Sequence, residues 1–381
     1  MSLIAFVTDQ HFDGHNDLEE TVRVHNWIAD DARARGCEAT LLGGDALEKR
    51  SIPSDRNALG AWLLRLAEFG PVVGDYGNHE IEGDLDLYND LGGKHPITFY
   101  SQPAVHFLPE LQLAIGCVPW PHLGALLARL DGVSAEQAQN AARDLLRTII
   151  LGLGAEMDRQ PFARIGLAHL MLSGATTDHD QPVRGSELVL SGADLAPMRA
   201  GIWLLGHIHA QQVLKIGDVE GVYGGGTEHC NWGEPGQKGY TIVRTDGPRI
   251  VGYERIPTPV APMVLAQGVF ADGSLSNSYA HRDVAGADVR FRFHCPIDQR
   301  ESAKAAAEAI KADLLARGAL SVTLEDLVDA ETRARAPDVA LAKGHREKLE
   351  AHWASVGFDP GPRRAALLAK ADQLHEATHE A

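Results

Sequence analysis

Short apolar runs that each end in polar residues recur along the first half of the chain. They lie at 3–7, 40–42, 72–73, 165–167 and 202–205. Nearly continuous apolar runs of this length are typical of strands buried on both faces. Stretches with the apolar spacing of helices follow them, at 18–36 and 54–69. This alternation predicts a layered α/β core.

After Gly206 the pattern changes to short strands separated by turns. The predicted strands lie at 213–216, 222–226, 240–245 and 249–253. Consecutive strands without intervening helices do not fit a doubly wound sheet. We therefore expect a four-layer α-β-β-α sandwich, with two sheets in the middle and helices outside.

A proline-rich stretch with Pro257, Pro259 and Pro262 marks a candidate domain boundary. Beyond it, a strand, a helix and a strand are predicted at 289–293, 300–316 and 320–324. We therefore predict a main domain at 1–258, a small α/β domain at 259–330 and a helical tail at 331–381. A charged tail of this kind buries little by itself. It packs on its own domain, on a second copy of the chain or on a partner.

Composition narrows the functional classes. The chain has 381 residues and a formal net charge of -17, which argues against a protein that holds nucleic acid by overall basicity. Its four cysteines form no CxxC pair, so neither a thiolate zinc site nor a disulfide framework is indicated. No apolar run approaches the roughly 18 to 20 residues needed to cross a membrane. The sequence therefore predicts a reduced, cytoplasmic protein without a membrane anchor.

The polar residues that follow the apolar runs are the candidate site. Open α/β sheets usually bind ligands at these strand ends. Carboxylate, imidazole and amide oxygen donors together suit divalent ions such as manganese, iron or zinc. The candidates are Asp9, His11, Asp45, Asn78, His79, His169, His207 and His209.

The spacing suggests a centre for two ions. One carboxylate must then reach both ions, and Asp45 is the candidate because it stands in a tight GGD turn. Asp9 and His11 are two residues apart, as are His207 and His209, so each pair would point the same way from an extended segment. Each element alone has a simpler explanation, as a turn or a structural histidine. Their occurrence in one order, each at a strand end, favours the metal centre.

The order DxH, GD, GNHE, H and GHxH resembles the calcineurin-like metallophosphoesterase superfamily, over about 3–209. Beside such a centre, His79 would act either as an acid or as a clamp on the phosphate. The resemblance implies a phosphoester hydrolase in which His79 is the catalytic histidine. It also implies two ion positions that share Asp45. The first would use Asp9, His11, Asp45 and His209, and the second Asp45, Asn78, His169 and His207.

Within that superfamily, the segment GGGTEHCNWGEPGQKGY at 224–240 is similar to a loop of the SbcD and Mre-type nucleases. This similarity implies a manganese-dependent DNA nuclease subunit, an exonuclease or an endonuclease, that acts in the repair or replication of DNA ends. The domain at 259–330 would then cap the DNA, and the tail would dock on an SbcC or Rad-type ATPase. A two-fold homodimer is also implied. Residues 46–49 (ALEK) depart from the family's pattern after the GD element.

Several basic and aromatic residues beyond the site admit two interpretations. Lys238, Arg244, Arg290 and Arg292 either contact phosphate or face water. Trp232 either belongs to the nuclease-like loop at 224–240 or is part of the core.

Two other functions stay open. A phosphodiesterase or phosphatase for a small phosphate ester would use the same centre and would suit the acidic net charge better. An interaction scaffold of the same fold is disfavoured, because such scaffolds tend to lose ligands and here the whole set is present.

Overall fold

A computed structural model describes residues 1–13, 18–48, 51–81, 83–122, 135–177, 187–230, 232, 234, 236–276, 282–329 and 337–379. The chain divides into two compact units. Unit 1 contains Met1–Leu265, Val284–Arg290 and Gly318–Ser321, and unit 2 contains Ala266–Asp283, Phe291–Arg317 and Val322–Ala381. The domain boundaries expected at 258 and 330 stay predictions.

Unit 1 is built on two six-stranded sheets. The order of the first sheet is β14-β13-β1-β2-β3-β4 and that of the second is β11-β12-β10-β7-β6-β5, while β8 and β9 form a separate pair. The bounds are β1 (Ser2–Val7), β2 (Ala39–Leu42), β3 (Val72–Asp75), β4 (Ile97–Tyr100), β5 (Ala104–Leu108), β6 (Leu113–Val118), β7 (Ala163–His169), β8 (Met171–Leu172), β9 (Val189–Leu190), β10 (Ile202–Gly206), β11 (Gln212–Ile216), β12 (Val219–Tyr223), β13 (Gly239–Asp246) and β14 (Arg249–Pro257).

Helices cover the outer face of each sheet. Within the described residues of unit 1 they are α1 (Leu18–Arg35), α2 (Pro53–Leu66), α3 (Asp86–Asn89), α4 (Ala135–Met157) and α5 (Gly192–Leu195). Ile28 and Leu63 pack under the first sheet, and Ile150 packs under the second. Between the sheets lies a third apolar layer that includes Phe6 and Leu167. Unit 1 therefore has the predicted α-β-β-α sandwich.

The strand register brings the candidate residues together. β1, β2 and β3 are parallel neighbours, with Val7 opposite Leu42 and Leu42 opposite Gly74. β7 and β10 are also parallel, with Gly206 opposite His169. Because parallel strands end at the same edge, the loops that follow them meet there.

The sequence pattern missed some elements and misplaced one. Neither β6 nor α4 was predicted, although both lie in the second half of the sandwich. The strand expected at 222–226 ends at Tyr223. The next residues form a loop that folds back on the candidate site, where the Gly226 N–H donates to the carbonyl of His209 at 3.1 Å.

Unit 2 carries most of a four-stranded sheet in the order β16-β15-β17-β18. Its strands are β15 (Met263–Ala271), β16 (Ser274–Leu275), β17 (Asp288–Pro296) and β18 (Ser321–Asp329), and its helices are α6 (Arg300–Ala316), α7 (Pro337–Leu341), α8 (His345–Ser355) and α9 (Arg364–His379). The bounds of α6 are those predicted from the sequence. α8 has no buried residue, and the Arg364–Glu350 ion pair joins it to α9. In the part of the chain that the structure describes, no helix has the length and apolar character required to cross a membrane.

Candidate metal centre

The loops after β1, β2 and β10 hold four candidate residues in left-handed backbone conformations. The φ angles are 53° at Asp9, 46° at His11, 53° at Asp45 and 95° at His207. Each such conformation costs a non-glycine residue on the order of 1–3 kcal/mol, and these conformations cluster at functional sites. The expectation that Asp9, His11 and His207 extend from straight segments is therefore wrong. Backbone hydrogen bonds hold the turns, such as the one from His11 N–H to the Asp45 carbonyl at 3.0 Å.

Position 77, in the GNHE element, requires a glycine because its backbone lies very close to Asp45. A Cβ atom at Gly77 would lie 2.0 Å from Oδ1 of Asp45. Any other residue would push this loop away from the carboxylate that the candidate site surrounds.

The first predicted ion position, which we call the outer position, brings two imidazoles face to face. Nε2 of His11 lies 3.0 Å from Nε2 of His209. The Asp45 carboxylate is 3.9 Å from the His11 nitrogen, and the Asp9 carboxylate is 4.0 Å from the His209 nitrogen. Two imidazole nitrogens and two carboxylates that converge in this way fit a divalent ion.

The second predicted position, which we call the inner position, is built around the fully buried His169. Nε2 of His169 lies 3.0 Å from Oδ1 of Asn78 and 3.3 Å from Oδ2 of Asp45. Nδ1 of His207 lies 2.8 Å from the same Asn78 oxygen. His169 is 0% exposed, and its Nδ1 lies 2.7 Å from the Gly43 carbonyl. Donation to that carbonyl leaves the Nε2 lone pair directed at the site.

Asp45 lies between the two positions. Within the described residues, three groups of side chains have ligand atoms within 4.8 Å of one another, and Asp45 belongs to two of them. Burial opposes its ionisation, but His169, His11 and His79 hold the pKa of the carboxyl well below its usual range. An ionised carboxylate at this place can contact both ions. The groups are His11 with His209 and Cys230, His11 with Asp45 and His79, and Asp9 with Asp45 and His169.

Glu234 orients the His209 imidazole. Its Oε1 accepts from Nδ1 of His209 at 2.7 Å, and its Oε2 accepts from Nζ of Lys238 at 2.6 Å. Burial opposes its ionisation, but the His209 hydrogen bond and the Lys238 charge lower the pKa of Glu234 to about 2. Lys238 is only 2% exposed, so the interpretation of this lysine as a phosphate contact is wrong.

His79 stands beside the Asp45 carboxylate and reaches solvent. Its Nε2 lies 4.0 Å from Oδ2 of Asp45, and its side chain is 24% exposed. Its Nδ1 lies 2.5 Å from Oε1 of Glu48, whose other oxygen is 3.1 Å from Nδ1 of His11. Despite burial, these two histidines hold the pKa of Glu48 well below its usual range.

Sequence reasoning singled out Glu80 among the residues at the strand ends but gave no role in the site to it or to Glu48. Glu48 lies in the segment that departs from the family pattern, and its neighbour Lys49 lies outside the described residues. Glu80 ends the GNHE element and accepts hydrogen bonds from the backbone N–H groups of Asp45 and Gly77, at 3.1 and 2.6 Å. Burial and the nearby Asp45 charge raise the pKa of Glu80 to about 7. The signal for both residues was their closeness in sequence to a predicted ligand.

A cleft of about 1090 Å³ in unit 1 opens beside His11. The Arg290 guanidinium lies 4.7 Å from the centre of the Trp232 ring, and both residues line the cleft together with Arg23. Trp232 is half-buried at this cleft rather than enclosed in a core. The lining also contains the carboxylates of Asp13, Glu20, Glu48, Glu228 and Asp288.

The other two basic candidates form ion pairs within their own units. Arg244 lies 3.3 Å from Glu254, and Arg292 lies 3.0 Å from Glu325.

Fold and site together define the class, which is an α-β-β-α sandwich with candidate His/Asp metal clusters. No family model matches the chain. It is 39% identical over 97 residues to the uncharacterized metallophosphoesterase YhaO of Bacillus subtilis, which covers 25% of this chain and 21% of that protein. It is 24% identical over 242 residues to a subunit of the nuclease SbcCD from the same organism, which covers 61% of this chain and 62% of that protein.

The chain thus spans less than two thirds of the length of these curated relatives. Among solved structures, a dimetal phosphatase from Danio rerio has a TM-score of 0.43 and 11% identity, over 68% of this chain and 97% of the other. A protein of Thermus thermophilus has a TM-score of 0.37 and 15% identity, over 59% of this chain and 89% of the other. Both TM-scores lie below 0.5.

Proposed function

We propose that the chain is a phosphoester hydrolase that uses two divalent ions to cleave DNA. The observation that carries the proposal is the convergence of both predicted ion positions on Asp45, with His79 beside it and the cleft adjoining it. Carboxylate and imidazole donors in this arrangement suit hydrolysis of a phosphate ester.

When bound, two divalent ions would polarise the phosphate and lower the pKa of the attacking water. We propose that they are Mn²⁺. The chain's own residues then have distinct tasks. Glu234 and the Gly43 carbonyl fix the orientations of His209 and His169 through their Nδ1 atoms. His79 acts as the acid, because Glu48 holds its Nδ1 and leaves Nε2 beside the site to give a proton to the leaving oxygen.

DNA as the substrate is supported by the cleft and by a relative. Trp232 and the Arg290 guanidinium that lies over its ring, together with Arg23, which also pairs with Glu20, line the cleft with the aromatic and guanidinium groups that DNA-binding surfaces use. The relative named as a subunit of the nuclease SbcCD adds support. By the same similarity we propose a homodimer, a DNA-capping role for 259–330, docking of the tail on an SbcC or Rad-type ATPase, and a role in DNA repair.

A small phosphate ester is the second candidate substrate, and the charge of the chain favours it. The cleft carries five carboxylates against two guanidinium groups, and the formal net charge is -17. Such a surface repels the long phosphate backbone of DNA more than it repels one small ester.

Cleavage of end-labelled linear duplex DNA tests the proposal. Purified wild type and the His79→Ala variant are each incubated with manganese, with magnesium or with a chelator. A chromogenic small diester is tested as a second substrate under the same conditions. Shortening of the DNA that requires manganese and His79 supports the nuclease. Inert DNA with rapid turnover of the diester would replace it with the second candidate.

A further inference from the structure

Cys230 adds a thiol to the outer position. Its sulfur and the ligand atoms of His11 and His209 all lie within 4.8 Å of one another. We propose that Cys230 is a sulfur ligand for the ion at the outer position and raises the affinity of that position for a thiophilic ion such as Zn²⁺, while adding little to its affinity for Mn²⁺. This inference rests on the metal centre of the proposed function but not on its substrate.

The donor set supports zinc on general chemical grounds. Two imidazole nitrogens and one thiolate sulfur are common zinc ligands, and zinc sites are usually four-coordinate. The Asp9 carboxylate, 4.0 Å from the His209 nitrogen, can supply a fourth donor. Manganese prefers oxygen donors and gains little from sulfur. Formation of the Zn–S bond displaces the thiol proton, which passes to solvent.

The carboxylate that orients His209 also holds the backbone of Cys230. The Cys230 backbone N–H donates to Oε2 of Glu234 at 3.2 Å, while Oε1 of Glu234 accepts from His209. Lys238 in turn anchors Glu234 through a buried ion pair. The cysteine and the imidazole are therefore placed by one buried group, and their closeness is a built feature of the loop.

The other cysteines allow a clean test. Cys37, Cys117 and Cys295 are buried, whereas Cys230 is exposed. Within the described residues, Cys230 is the one cysteine found in a group that can hold a metal. A sulfur-to-metal signal can therefore be assigned by comparing Cys230→Ser with Cys37→Ser, which changes a thiol far from the site.

The first measurement uses full-length protein, stripped with a chelator and titrated with Cd²⁺ or Co²⁺. Wild type and Cys37→Ser are expected to develop thiolate-to-metal charge-transfer absorption, and Cys230→Ser is expected to lack it. Competition with a zinc-binding dye should show zinc affinity weakened at least about tenfold in Cys230→Ser. Manganese affinity should change by less than about threefold. An equal absorption band in Cys230→Ser would overturn the inference.

The second measurement needs no variant and so does not depend on how a variant folds. Iodoacetamide alkylation of wild-type Cys230 is followed by mass spectrometry, without metal, with Zn²⁺ and with Mn²⁺. Zinc is expected to slow the reaction at least about tenfold, because a coordinated sulfur is a poor nucleophile, and manganese is expected to leave it unchanged. Equal rates with and without zinc would refute sulfur ligation. If manganese-dependent DNA cleavage occurred all the same, the proposed function would stand without this inference.

Discussion

The two candidate ion positions differ in the groups that hold the Nδ1 atoms of their histidines. At the inner position, His169 is fully buried and its Nδ1 is held by the carbonyl of Gly43, which belongs to the main chain. At the outer position, the Nδ1 atoms of His11 and His209 are held by side-chain carboxylates, those of Glu48 and Glu234. Exposure does not separate the positions, because the His209 side chain is 20% exposed and the His207 side chain 14%, while His11 is buried.

This difference predicts how the positions behave. A main-chain carbonyl moves only if the fold moves, whereas a carboxylate side chain can rotate, be substituted or change its partner. The inner position is therefore expected to bind its ion more tightly and to depend on the stability of the sandwich. The outer position is expected to exchange its ion more readily and to respond to single substitutions that leave the fold intact.

Asp45→Asn should have the largest effect, because Asp45 contributes to both ion positions. Its substitution should therefore affect the inner and the outer position alike. Asparagine keeps the shape and tolerates the left-handed conformation at φ 53°. Both ions should be lost. Since each contributes several kcal/mol to the transition state, activity should fall by more than about 10⁴-fold. Metal content per chain and hydrolysis are measured, with Asp246→Asn as a surface control. Retention of one tightly bound ion would show that Asp45 does not bridge.

His79→Ala should separate chemistry from metal binding, because His79 serves neither position as a proposed ligand. We expect both ions to remain and turnover to fall by about 10²- to 10⁴-fold, the range for loss of a general acid. Metal content, kcat and KM are measured together. A parallel loss of metal and activity would make His79 a ligand and would contradict the role assigned to it.

Prediction from sequence succeeded where one local pattern decides the structure. β1, β2, β3, β7 and β10 are continuous apolar runs, and polar site residues follow their ends. β6 was missed although it too is mostly apolar, and Gly116 inside it weakens its strand pattern. That glycine is explained by tertiary packing, because a Cβ there would lie 2.6 Å from the sulfur of Met198.

Within the candidate site, the identity of the residues was easier to predict than their geometry. Short motifs named Asp9 and His11, but the left-handed turns that present them depend on backbone hydrogen bonds to the loop after β2. Glu48 holds His79 across 31 positions, and Glu234 holds His209 across 25. A sequence pattern does not reveal contacts between such distant side chains until the strands are placed.

The pKa values of two buried histidines, His169 in the site and His25 outside it, are shifted in opposite directions. Asp45 raises the pKa of His169 to about 9 against the effect of burial, whereas burial lowers the pKa of His25 to about 4. His25 donates from Nδ1 to the carbonyl of Thr21 at 2.8 Å and contacts the ring of Trp62. In the unfolded chain, His25 has a pKa of 6.5 and binds a proton below that pH. In the folded chain, the same side chain stays neutral down to about pH 4. Stability contributed by neutral His25 is therefore lost as the pH falls between these values, by about 3 kcal/mol in total.

Denaturant unfolding near neutral pH and at about pH 5 measures this effect. His25→Gln should flatten the decrease in the free energy of unfolding, and the exposed-site control His352→Gln should leave it unchanged. An equally steep decrease in His25→Gln would show that another group accounts for the acid sensitivity.

Glu48→Gln tests the comparison most directly and should have the smallest effect. The amide keeps the size of the side chain but weakens the hydrogen bonds to Nδ1 of His11 and His79. Because only the outer position uses His11, the affinity for one ion should fall by about 10- to 100-fold while the other ion stays bound. Calorimetric titration of stripped protein with Mn²⁺ should then show two separated binding steps. Glu254→Gln, which removes a carboxylate from an exposed ion pair on β14, should bind as wild type does. Equal weakening of both steps in Glu48→Gln would mean that the two positions form one rigid unit, and the contrast between main-chain and side-chain support would then have no consequence for binding.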